Sequence, residues 1–420
     1  MINMKKSKSE RRVRPALNLD MISILPKDIL DKILVRLPLR DAIRTSSLSR
    51  TWRHAWASMP ALMFIDDSIP SNNLDAKFLL FVDRVLLLHN GPILKFHLSS
   101  NRCSHVAIDP WIVVLSRNGI QELVLDLGYE ERYKVPSTLF FCQELKHVEL
   151  SHCIIELPQM FKGFSLLSTL KLSRTTLTDK GLENLVSSCP VLENLSLTNF
   201  NGCTHLKIHA PKLQVLMIIG FFEDLHLGTP NLVVANIVLD GEAHQYDVAG
   251  GTKSNLIQAL GSIPAIEKLE IREYFLVYLA VGSLPEKLPT TFNCLRKLTL
   301  DINLEVLEET MTALCLFQNA PNLEELELWP AFEETPVVPV GKFWKLKMHQ
   351  RFPFKHLRNV CLNSFADLEA HFEFVKFVLN TAPMLKKMTL RSHDCPEESK
   401  VLRKLLQFPR ASKEVEVIYV

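Results

Sequence analysis

One six-residue phrase, apolar at its first, fourth and sixth positions, recurs through most of this chain and narrows its fold more than any other feature. It reads Leu-x-x-Leu-x-Leu, with Ile or Val substituting. Copies begin at Ile120, Leu145, Leu167, Leu192 and Leu213, and again at Ile266, Leu295, Leu323, Leu357 and Leu385. A weaker copy, Leu232-x-x-Ala235-x-Ile237, stands between the two groups. From Leu145 the early copies are 22, 25 and 21 residues apart, and the late ones are 29, 28, 34 and 28 apart. The closing apolar-x-apolar step has period two, so both apolar residues face one side of a short strand. A single unit cannot bury that side. Stacked units can, as one continuous core.

Spacings of this size are the signature of leucine-rich repeats, with one strand and one helix or irregular turn per unit. The expected fold class is α/β: an irregular solenoid with a curved parallel sheet and helices on its convex side. Pro190, Pro264, Pro321 and Pro383 each precede a copy, where proline ends one helix and starts the next strand segment. The residue between the last two apolar positions should line the concave side. These residues are Val124, Glu149, Lys171, Ser196, Met217, Glu270, Thr299, Glu327, Cys361 and Thr389. The row carries no basic stripe and the chain's net charge is only +2, which argues against a nucleic-acid target and for a protein or small-molecule one. Val215 and Ile219 share the face of Met217, and three exposed apolar residues on one strand mark a contact patch. The candidate target-binding residues are therefore Glu149, Lys171, Val215, Met217, Ile219, Glu270 and Glu327.

The N-terminal part reads differently. Residues 5 to 14 hold six basic side chains and one large apolar residue, a composition that should stay disordered and that matches short nuclear-import signals. From Ile24 to Pro38 the text is helical. Pro26 suits a first turn, Ile29, Leu30, Ile33, Leu34 and Leu37 make one apolar face, and Pro38 stops the helix. A second helix is expected over Leu39–Ser46 and a third from Leu48 to about Ser58. Trp52 and Trp56, four apart, would share a face of the third. A unit of about 45 residues is marginal alone, so part of its apolar surface should meet a partner.

The run Leu25-Pro26, Ile29-Leu30, Leu37-Pro38-Leu39-Arg40-Asp41-Ala42, Arg44-Thr45-Ser46, Leu48-Ser49-Arg50-x-Trp52-Arg53 and Trp56 resembles the F-box of plant proteins. The likeness covers residue 22 to about 66, with Lys27 standing where that family usually has an acid. It implies that the module binds a Skp-family adaptor, which joins it to a cullin scaffold. It further implies that Leu25, Pro26, Ile29, Leu30, Ile33, Leu37 and Pro38 lie in or beside that interface, with Leu48 and Trp52 in the module's core. The stretch Leu177 to Pro190 resembles the repeats of F-box proteins. Residues 350–420 resemble the FBD region that follows such repeats in plants, and they read as a final strand–helix–strand unit capping the solenoid. The domain plan is a basic tail at 1–20, an F-box at 21–66, repeats over 67–349 and an FBD cap over 350–420. The resemblance implies a substrate-recognition subunit of a ubiquitin ligase in the cytoplasm or nucleus, with ubiquitin transfer left to other subunits.

Nothing in the text points to chemistry of its own. The nine cysteines include no Cys-x-x-Cys pair, as suits thiols in a reducing compartment. No apolar run reaches the roughly 18 residues that span a bilayer. Met1–Arg14 has charge without the apolar stretch of a secretory signal. Cys203, His205 and His209 lie close together, but no fourth zinc ligand accompanies them. Gly250-Gly-Thr-Lys-Ser254 lacks the spacing of a phosphate loop. Residues 240–255 form a polar insertion that interrupts the repeats. No nucleophile and base can be paired, so no catalytic residue, metal or cofactor is expected.

Overall fold

The computed structural model describes residues 24–65, 74–100, 105–128, 131–240, 255–280, 288, 290–330, 343–344, 354–392 and 398–420. The basic run at 5–14 lies outside them, as does the 240–255 insertion apart from its two end residues, with its Gly250–Ser254 stretch.

Fourteen strands make one parallel sheet in strict chain order, from Ala61–Ile65 to Glu416–Tyr419. Each copy of the phrase supplies one strand, and the weak copy at Leu232 supplies Val234–Leu239. Register explains why. Leu170, Leu195 and Leu216 are successive partners across three strands, as are Leu172, Leu197 and Ile218. All six are buried. The inward residues thus stack in two continuous rows, and a slip of one residue would turn a whole row to solvent. Several strands end in a left-handed turn. His152, Arg174 and Asn199 have φ of 57°, 50° and 51°. Arg174 and Asn199 each donate their backbone N–H to a carbonyl of the next strand, Thr198 at 2.7 Å and Ile219 at 2.6 Å.

Two strands precede the first copy read from the sequence, Ala61–Ile65 and Lys95–Ser100. In these the inward positions hold Leu62, Phe64, Phe96 and Leu98, all buried. Helices Leu74–Leu88 and His105–Arg117 alternate with them. The convex side also departs from the expected row of helices. Between Leu192 and Leu213, and again between Leu213 and Leu232, it carries short strands, His205–His209 and Asp224–Gly228, paired as a small parallel sheet. Those units are 21 and 19 residues long, too short for a strand, a helix and two turns. The 25-residue unit before them does hold a helix, Asp179–Ser187, whose N-terminus is capped by Thr178 Oγ1 accepting the Gly181 N–H at 3.1 Å.

The N-terminal module is less helical than its sequence suggests. Helices cover Lys27–Leu34 and Leu39–Arg44, followed by 3-10 turns at Thr45–Ser47 and Ala55–Ser58. The expected third helix is absent. Thr45 and Ser47 hydroxyls bond back to the carbonyls of Ala42 and Arg44, at 2.6 and 2.9 Å, where the second helix, expected to reach Ser46, stops at Arg44, and from Leu48 to His54 the chain runs largely in turns. Leu48, expected in the core, is therefore in a turn and 59% exposed. Trp52 and Trp56 are both buried, in the same hydrophobic cluster as the first strands of the sheet.

That shared core makes module and solenoid one body. Asn90 N–H donates to the Ala57 carbonyl at 2.8 Å, and His89 Nε2 lies 2.9 Å from the Met59 carbonyl oxygen. Between them Gly91 passes so close that an added Cβ would stand 2.9 Å from Ser58 Cα. At the far end the sheet runs on without a break through Asn359–Leu362, Lys387–Leu390 and Glu416–Tyr419. Two helices, Glu369–Thr381 and Glu398–Leu406, intervene, so this end has three strands and two helices instead of the expected strand–helix–strand. Its core is aromatic: Phe354 packs edge-on and Trp344 at a tilt against Phe377, the Trp344–Phe377 centroids 4.8 Å apart.

Two outcomes follow from this packing. Gly91→Val should wedge the module from the first repeats, lowering the melting temperature and speeding limited proteolysis between residues 24–60 and the solenoid. His371, whose Nδ1 accepts the Ala366 N–H at 3.1 Å, is lowered by burial from 6.5 to about 4. The unfolded chain therefore takes up this proton first as pH falls. His371 thus lends stability that is present near neutrality and is lost between pH 6.5 and about 4, a few kcal/mol at most (about 3 from the size of the shift). Melts at pH 7 and 4.5 should show a smaller acid loss for His371→Gln than for the parent protein.

Candidate interaction surfaces

The first surface is the outer side of helix Lys27–Leu34. The single apolar face read from the sequence is in fact two stripes. Leu30 and Leu34 point into the core, while Ile29 and Ile33, each one position earlier, point to solvent at 39% and 36% exposure. Ile24 and Val35 extend the outward stripe, and Leu25 and Leu37 are half-buried at its edges. Pro26 and Pro38 are exposed at the two ends. Of the seven residues expected at an adaptor interface, Leu30 alone is buried. The rest border one exposed apolar patch.

The second surface is the concave side of the sheet. Glu149, Lys171, Met217, Glu270 and Glu327 all lie on its central row, as expected, and Val215 and Ile219 flank Met217. Val215 and Met217 are 38% and 36% exposed, and Ile219 is half-buried. Thr299 belongs to the same row but is buried between Glu270 and Glu327. The row is not uniform. Strands Asn194–Thr198, Val215–Gly220 and Val234–Leu239 present Asn194, Ser196, Thr198, Val215, Met217, Ile219, Val234, Asn236 and Val238, with no charge among them. On one flank Lys171 Nζ meets Glu149 at 3.2 Å.

The other flank holds a polar network that the sequence reading missed. Arg272 Nε donates to Asp301 Oδ1 at 3.1 Å, and its guanidinium lies 5.2 Å from the Trp329 ring centre. Trp329 Nε1 donates to Glu327 Oε1 at 3.2 Å, and Asn363 Nδ2 donates to the same oxygen at 3.3 Å. Arg391 closes the chain on Asn363 Oδ1 at 2.9 Å. The overlooked signal was positional. Arg272, Asp301 and Trp329 sit two residues past the central row, on the same face.

The remaining sequence candidates do not converge. Cys203 is buried, and desolvation pushes its thiol up to about 12, so it is no thiolate at neutral pH. His205 is exposed among carboxylates, its Nε2 3.5 Å from Asp224 Oδ2. His209 lies on the convex side beside Gly228. Among the described residues no group of three His, Cys, Asp or Glu side chains is placed to hold a metal ion.

These features define a class: a leucine-rich-repeat solenoid carrying a small helical module at one end. The chain matches the family models of the F-box domain over residues 22–62, of the leucine-rich repeats of FBD-associated F-box protein At5g56370 over 108–328, and of the FBD over 355–390. It is 37% identical to F-box/FBD/LRR-repeat protein At1g13570 of Arabidopsis thaliana, covering 96% of this chain and 98% of that one. With FBD-associated F-box protein At5g56370 of the same plant it shares 28% identity over 96% of this chain and all of that one. An internalin of Listeria monocytogenes overlaps 82% of the chain at a TM-score of 0.38 and 12% identity, too loose a superposition to compare repeats. The chain belongs to the F-box/FBD/LRR-repeat family.

The network generates its own test. Asp301 is buried and also accepts the Glu273 N–H at 2.9 Å, where φ is 57°. Asp301→Ala strands that donor and leaves Arg272 only the more distant carboxylate of Glu270, 3.8 Å away, at a cost of about 1–3 kcal/mol. Asp301→Asn, which keeps an acceptor, should cost less when both are compared by denaturant midpoint.

Proposed function

We propose that this protein is the target-recognition subunit of an SCF-type ubiquitin ligase. Its F-box docks a Skp-family adaptor, and through it a cullin, while the concave sheet holds a protein target. The observation that carries the reading is the outward stripe of Ile29 and Ile33 on the helix that matches the F-box, in a module welded to a binding solenoid. The chain's own part in the chemistry is proximity. Holding a target lysine near a reactive thioester raises its effective concentration without any catalytic group on this chain. We place this work in the cytoplasm or nucleus, where thiols such as those of Cys153 and Cys203 stay reduced.

The test is capture of the full chain by a recombinant Skp-family adaptor. The parent protein should be retained. Ile29→Asp with Ile33→Asp should lower retention by roughly tenfold or more, since two charges would enter an apolar contact, while the melting temperature stays unchanged. Leu30→Ala should instead destabilise the fold by about 2–5 kcal/mol, because Leu30 packs inward. No capture of the parent protein would leave only a repeat scaffold that binds other proteins.

A further inference from the structure

The concave face has a built-in selectivity for what lies on it. We infer that strands Val215–Gly220 and Val234–Leu239 form the anchoring window for a short apolar segment of the target, and that the segment carries a carboxylate beside Lys268. The inference rests on the recognition role proposed above and names the chemistry of the partner.

Three observations carry it. The first is the window itself. Val215, Met217 and Ile219 face outward on one strand, with Val234 and Val238 in register beside Val215 and Ile219 on the next. With the neutral strand Asn194–Thr198 on the other side, the uncharged area is roughly 14 Å across at the usual strand spacing, and about as long. That is too small for a whole interface, which takes about 800 Å² per partner, and right for the dry centre of one.

The second is the flanks. Their charges are largely satisfied within the protein. Lys171 pairs with Glu149 on one side, and Arg272 with Asp301 on the other. Asn236 Nδ2 donates to Glu270 Oε2 at 3.1 Å, closing the window's border. Such paired charges discourage a charged intruder at the centre, since it would be desolvated without a partner of its own.

The third is the exception. Lys268 stands in register beside Val234, is exposed, and makes no ion pair among the described residues. Its register neighbour Lys297 is already committed to Glu327 at 3.5 Å. An ammonium group at the edge of an apolar window selects a carboxylate on an apolar segment. A basic segment would meet repulsion there, so charge complementarity favours an acidic-flanked apolar peptide over a basic one.

The experiment uses the full chain, immobilised, and a displayed library of random twelve-residue peptides. The expected result is enrichment of sequences combining two or three of Leu, Ile, Val, Met or Phe with an Asp or Glu to one side. A selected peptide, labelled and titrated by fluorescence anisotropy, should bind Met217→Glu roughly tenfold more weakly. It should also bind Lys268→Glu more weakly, and the same peptide with its acid changed to Lys should recover on that variant. Both positions are exposed, so unchanged melting temperatures would show that the fold is intact. Enrichment of basic or charge-dense sequences, absence of any consensus, or binding indifferent to Met217→Glu and Lys268→Glu would overturn the inference. Adaptor capture is read separately. If it persists while peptide binding fails, this inference alone falls. If it fails while peptide binding persists, the ligase reading alone falls.

Discussion

Everything in this protein depends on side-by-side burial of the inward strand residues. Leu195 is covered because Leu170 and Leu216 flank it in register, and each of those needs the next strand in turn. No repeat has a core of its own. The dependence reaches both ends of the chain. At one end Trp52 and Trp56 are buried in the same continuous core as Leu62 and Phe64, and at the other the FBD strands carry the same rows to Glu416–Tyr419. The F-box and FBD regions are therefore terminal layers of the solenoid as well as named units. At the last described strand the inward residues Val417 and Tyr419 are only half-buried, where Leu195 and Leu197, flanked on both sides, are fully buried.

A sheet held so firmly from beneath leaves its upper face free to vary. Outward positions do not have to pack, so they can hold Lys171, Ser196, Met217 or Glu270 without altering the fold. What they do is settle charge locally. The network from Arg272 through Asp301, Trp329, Glu327 and Asn363 to Arg391 ties five strands together by side chains that the backbone ladder does not require. Arg272 is held by a buried carboxylate and an aromatic face at once, so little of its conformational freedom remains to be lost on binding. Preorganisation of this kind favours specificity over adaptability.

The solenoid's strands were legible in the sequence because period two and the inward leucines act together. Even the weak copy at Leu232 was placed correctly, with Ala235 where a leucine is usual. The copies at Leu62 and Phe96 were not, because Phe at an inward position hides the phrase while packing as well as Leu does. Helix content was the less legible part. In the N-terminal module, the residues where apolar spacing alone promised a third helix form turns, with only a short 3-10 piece at Ala55–Ser58. On helix Lys27–Leu34 the spacing could not separate Ile29 from Leu30, since adjacent residues differ by only about 100° around the axis. Which of two neighbouring apolar residues faces water is settled by what packs beneath the helix, and that comes from the turn Ala55–Ser58, which holds the buried Trp56. The concave network was hidden for a related reason: its cross-strand hydrogen bonds join residues 28 to 36 apart in sequence, and only the register brings them together.

The close-packed joint at Gly91 and Ala57 gives the repeat count a mechanical meaning. The strand Val215–Gly220 is seventh in the sheet, six strand spacings, or roughly 29 Å, from Ala61–Ile65 along the sheet. Had the F-box been joined by a flexible linker, a bound target would sample a broad volume, and its effective concentration at any one point would be low. With the two surfaces in one body, the position of the anchoring window sets where a bound segment sits relative to the docking helix. On the proposed ligase reading, the lysine that is modified need not lie in the anchored segment. It has only to fall where that fixed offset brings it to the thioester. Removing one repeat between the F-box and the window would shift the target by about one strand spacing and turn it by the sheet's twist, without touching a single binding residue. On that same reading, target choice would lie in the outward side chains, and target presentation in the number of inward layers.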